Sequence, residues 1–103
     1  MTLPPELRRS RHIRRQILTM LIETYRAVPG LAIAVEELLD TVARGGGPLG
    51  FATAEVRAEL LDLAHDDLVE IDQLRVRITT TGRDFLRAGC PWEQVDEFTG
   101  GQK

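Results

Sequence analysis

Residues 53–86 read TAEVRAELLDLAHDDLVEIDQLRVRITTTGRDFL, and two changes of hydrophobic period within them decide the fold. Val56, Leu60, Leu63 and Ala64 recur at spacings of three and four and close on Leu68, the period of a helix. Leu74, Val76 and Ile78 then alternate with Arg75, Arg77 and Thr79, the period of a half-buried strand. Val69 and Ile71 lie upstream across a polar break at Asp72-Gln73, so the two runs predict an antiparallel β-hairpin. Thr79 or Thr80 offers a cap for a further helix, whose apolar face starts at Phe85 and Leu86. The rest of the chain is expected to pack on this helix–hairpin–helix unit.

A length of 103 residues suits one domain with one modest core. Five aromatic residues in total make that core aliphatic. No apolar run approaches the roughly 20 residues that span a bilayer. The arginines near the start precede no apolar segment, so a secretory signal is not expected. Cys90 is the single cysteine, which excludes an internal disulfide and predicts a reducing, cytoplasmic location.

The net charge of −3 conceals an asymmetry. Residues 1–30 hold six Arg against two Glu, a net of +4. Residues 31–72 hold two Arg against ten acids, a net of −8, and residues 73–103 carry +1. A polyanion would be drawn to the first helix or to the hairpin.

Taken in order, residues 1–5 are expected to be a flexible terminus, 6–89 the folded domain and 90–103 a tail, helical at first and then disordered. Pro4 and Pro5 suit the start of a helix running to about Ala27. Ile13, Ile17, Met20, Leu21 and Tyr25 form its apolar stripe. Arg8, Arg11 and Arg15 line up elsewhere on it, with Arg9 and Arg14 beside them: either a solvated face or a phosphate-contacting one. Val28-Pro29-Gly30 ends this helix. Leu31–Ala34 is either a short strand or the entry to a second helix over Val35–Ala43. Residues 44–50, rich in glycine, lack the Gly-Lys-Ser/Thr of a phosphate-binding loop and read as a long turn. Thr53 is the expected N-cap of the third helix, with Glu55, Arg57, Glu59 and Asp62 outward. Ile17, Leu21, Leu39, Leu60, Leu63, Leu68, Val76, Ile78 and Leu86 should be buried together.

Catalytic chemistry finds little support. His12, His65 and Cys90 lack metal-ligand spacing, and Ser10, the single serine, sits in an arginine-rich helix with no His/Asp constellation around it. No enzyme activity, metal or cofactor is expected.

The order helix, short strand, helix, helix, two-stranded wing, helix resembles the winged helix-turn-helix fold: mainly α with a small antiparallel β-hairpin. Leu68-Val69-Glu70-Ile71 followed by Arg77-Ile78-Thr79-Thr80-Thr81-Gly82-Arg83-Asp84-Phe85-Leu86 is similar to the wing of MarR-, PadR- and ArsR-type regulators. There a glycine precedes Leu-Val, and "L-T-x-x-G-R-x-x-L" follows the hairpin. Asp67 stands where that glycine would be, and the expected wing tip, Asp72-Gln73, is short. The layout also resembles small winged-helix proteins of Mu-like prophages, through Arg14-Ile17-Leu18-Leu21, Pro29-Gly30 and Val56-Arg57-x-x-Leu60.

The resemblance implies a DNA-binding transcriptional regulator whose third helix enters the major groove. Thr53, Glu55 and Arg57 would read bases, and Arg75 and Arg77 of the wing, with Arg8, Arg11 and Arg15 of the first helix, would hold phosphates. The charge of residues 31–72 supports a different expectation: an acidic interaction module with little DNA affinity, facing a protein partner. Trp92, Val95 and Phe98, at spacing three in the tail, either cover the protein's own core or form a homodimer interface.

Overall fold

The computed structural model describes residues 4–45 and 50–90. Within them lie four helices and a three-stranded antiparallel sheet: α1 (Pro5–Ala27), β1 (Ile33–Ala34), α2 (Val35–Arg44), α3 (Thr53–His65), β2 (Val69–Asp72), β3 (Arg75–Ile78) and α4 (Thr80–Arg87). Residues 1–3, glycines 46 and 47 with their neighbours to 49, and the tail 91–103 lie outside the described residues. Trp92, Val95 and Phe98 are among these.

Pro5 opens α1 in the first turn, where its missing N–H costs no bond, and Glu6 complements the helix dipole. The helix buries Ile13, Ile17 and Leu21 as its period requires, and Leu18 as well, while Met20 and Tyr25 stay half-buried. It stops where Val28 turns extended and Gly30 takes a φ of 85°. Ile33 and Ala34 realise both expectations for their stretch. They pair with Val76 and Arg75 as β1, and α2 then starts at Val35, whose N–H donates to the Leu74 carbonyl (2.9 Å). Val35, Leu38, Leu39 and Val42 put the inner face of α2 in the core.

α3 is capped differently from the sequence expectation. Thr53 is already helical, and extended Ala52 is the cap, its carbonyl accepting from the Glu55 and Val56 N–H groups (3.0 and 3.1 Å). The helix ends where the Leu68 N–H bonds the Leu63 carbonyl and the Asp67 N–H bonds that of Ala64 (3.0 and 3.1 Å). This closure requires a left-handed residue, and Asp67 has a φ of 65°.

The sheet order is β1-β3-β2. Val69 faces Ile78 and Ile71 faces Val76, so Asp72 is paired with Arg75, and the two-residue turn is Gln73-Leu74, not Asp72-Gln73. Gln73 supplies the positive φ (59°) that so tight a turn needs. Leu74, expected in the strand's apolar phase, shares the parity of Val76 and Ile78 but falls in the turn before β3 begins, and is 75% exposed. Thr79 caps α4 by accepting the Gly82 N–H (2.9 Å), and its hydroxyl donates to the Asp67 carbonyl (2.6 Å). All the expected core residues are buried except Leu86, which is half-buried, and Phe85 takes the inward position of α4. No helix of the described residues is long and apolar enough to cross a membrane.

Candidate nucleic-acid interface

The third helix owes its placement to charge as well as to its apolar stripe. Val56, Leu60 and Leu63 fix one side in the core. Glu55, Glu59 and Asp62, one helical stripe further round, meet arginines of α1. Arg9 grips Glu55 with two bonds (Nε to Oε2 2.5 Å, Nη2 to Oε1 2.9 Å), and its guanidinium stacks on the Phe51 ring at 4.7 Å. The Arg9 hydrogen bond holds the Glu55 carboxyl below the usual glutamate range. Glu59 Oε1 accepts both from Arg14 Nε and from Ser10 Oγ (2.7 Å each), and Arg14 reaches on to Asp62 (3.0 Å). The Arg14 and Glu59 side chains are each only 16% exposed.

Glu55 and Glu59 therefore face α1, not solvent as the sequence suggested. The outward ridge of α3 is Ala54, Ala58, Leu61 and His65, all exposed, with Leu61 at 55%. Thr53 and Arg57 flank it and are exposed. Arg57 pairs with Glu36 of α2 at 3.1 Å, a solvent-screened contact of little strength. This face offers one guanidinium able to bond guanine, one hydroxyl, and methyl groups of the kind that contact thymine. The signal for it was in the sequence: Glu55, Glu59 and Asp62 recur at spacings of four and three, and Ser10 and Arg14 at four, each set beside an apolar stripe.

On the hairpin, Arg77 lies opposite Glu70 and pairs with it at 3.3 Å. Arg75 lies opposite Asp72, and its Nη1 donates to the Ala32 carbonyl at 3.4 Å. Both contacts are at the surface, so either side chain can exchange its partner for a phosphate at small cost.

Arg8 and Arg15 are not on the α3 side of α1. At about 100° per residue, Arg8 and Arg15 lie roughly 140° or more round the helix from Ser10, which touches α3. The Arg15 guanidinium is instead within hydrogen-bonding reach of the buried Cys90 thiol, whose pKa burial raises and Arg15 partly lowers. Further along, Arg83 stacks on Tyr25 at 4.2 Å beside an open groove of about 500 Å³ between α1 and α4. No group of three or more His, Cys, Asp or Glu side chains among the described residues could hold a metal ion.

No family model matches the chain, nor does any curated protein or solved structure.

Proposed function

We propose that this protein is a winged-helix DNA-binding protein that regulates transcription. The observation that carries the reading is the order of elements with its sheet: helix, strand, helix, helix, hairpin, helix, the first strand pairing with the hairpin as β1-β3-β2. In that arrangement the third helix reads the major groove and the hairpin is the wing. The ion pairs to Arg9 and Arg14 support it further. They neutralise three of the acids that would otherwise repel phosphates from α3. Arg57 is the base-reading residue on this proposal, and Arg75 and Arg77 hold phosphates.

Fluorescence anisotropy against a library of genomic fragments at low and moderate salt tests it. Binding should weaken steeply with salt. Arg57→Ala should relax sequence preference, while Arg75→Ala and Arg77→Ala should each weaken all sequences alike and reduce the salt slope by about 1. No binding at low salt would refute the proposal. The second reading, a protein-interaction module, is favoured by one observation: the outward ridge of α3 is apolar at Ala54, Ala58 and Leu61.

A further inference from the structure

Arg8 and Arg15, the two ends of a basic ridge on α1, lie away from the side of α1 that touches α3. Arg8, Arg11 and Arg15 recur at spacings of three and four, so they fall on one stripe, about 10 Å long from end to end. The chain arrives at this stripe of its own accord. Arg83, near the start of α4, stacks on Tyr25, and Cys90, just past its end, meets Arg15. α4 and its exit thus run antiparallel to α1, heading from Tyr25 towards the amino end of α1. Cys90 is buried there (6% exposed). The next residues of the chain, Pro91-Trp92-Glu93-Gln94-Val95-Asp96-Glu97-Phe98, carry three carboxylates and no basic group.

We propose that the ridge of Arg8, Arg11 and Arg15 is the docking surface for the acidic segment 91–98 of the same chain. Charge and length both fit. Three carboxylates, Glu93, Asp96 and Glu97, meet three guanidinium groups. Eight residues reach about 12 Å as a helix and about 26 Å extended, enough in either form to run from Arg15 to Arg8. Arginine favours such a site because its planar fork bonds carboxylates in pairs. Glu93, Asp96 and Glu97 lie between Trp92, Val95 and Phe98 in the sequence. The inference does not depend on DNA binding, which engages α3 and the hairpin.

Trp92 is the single tryptophan, so its emission reports the segment alone. In the full-length protein the emission should be blue-shifted and shielded from acrylamide. Full-length Arg8→Glu/Arg15→Glu and Glu93→Gln/Asp96→Asn/Glu97→Gln should each shift it red and raise quenching several-fold, with far-UV circular dichroism unchanged. Combining Arg8→Glu/Arg15→Glu with Glu93→Arg/Glu97→Arg should restore the shielding. Quenching unmoved by either charge set, or a charge swap that restores nothing, would overturn the proposal. Shielding that appears only as protein concentration rises would overturn it too, by assigning the ridge to the segment of a second copy.

Discussion

Two backbone positions show how much depends on single residues here. Gly82 lies in the first turn of α4, where a Cβ would come within 2.0 Å of the Leu68 carbonyl oxygen and 2.8 Å of Ile78 Cγ1. The obstruction is main chain and cannot swing away, so Gly82→Ala should cost about 3 kcal/mol by forcing α4 off the hairpin. Asp67 is the opposite case. Its φ of 65° lies in the left-handed region, which glycine adopts at no steric cost. Asp67→Gly should therefore stabilise by about 0.5–1 kcal/mol. Paired urea denaturation checks both, and equal shifts of the same sign would contradict this account of the turn. The requirement for glycine at residue 82 was visible as a motif. Its cause, the approach of the Leu68 carbonyl, was not, because it joins residues fourteen positions apart in different elements.

At the level of elements, α1 and α3 are joined by a polar seam beside their apolar one. Arg14, Glu59 and Ser10 meet where water has little access, so each bond is worth more than an exposed pair. Glu59→Ala should cost about 1–3 kcal/mol, since it strips Ser10 and Arg14 of their shared acceptor. Arg57→Ala, which breaks only the exposed pair with Glu36, should cost less than about 1 kcal/mol. A double-mutant cycle on Arg14 and Glu59 measures the seam directly. A coupling no larger than that of Arg57 with Glu36 would mean the seam is ordinary surface. This seam also changes the electrostatic picture. The charge of −8 across residues 31–72 looked prohibitive for a DNA-facing unit when summed along the chain. Folding brings part of it against the +4 of residues 1–30, where it is paired rather than presented.

Across the whole molecule, one core draws on every helix and on the sheet, and no polar side chain among the described residues is buried in it. Leu63 is fully buried where α3 meets that core, while Leu61, two residues away on the same helix, is 55% exposed. Leu63→Ala should lower stability by about 2–5 kcal/mol. Leu61→Ala should change it by no more than about 0.5 kcal/mol, because its methyl groups are already largely in water. Thermal melts of the two variants test the phase of α3, and similar losses would show that the helix is rotated from its position here.

Period alone determined the four helices and the hairpin in their order, since burial of one face imposes 3.6-residue repeats on helices and alternation on strands, while the strand at Ile33–Ala34 was decided by pairing. Period also determined most of the core, from Ile17 and Leu21 to Val76 and Ile78, while local capping chemistry narrowed the start of α4 to Thr79 or Thr80. Tertiary structure decided what depends on contacts distant in sequence. It placed the turn at Gln73-Leu74, because strand pairing sets the register. It chose Phe85 over Leu86 for the core, because adjacent helical residues point about 100° apart and only packing selects between them. It turned Glu55 and Glu59 inward to arginines more than forty residues away, and so decided which face of α3 is left exposed.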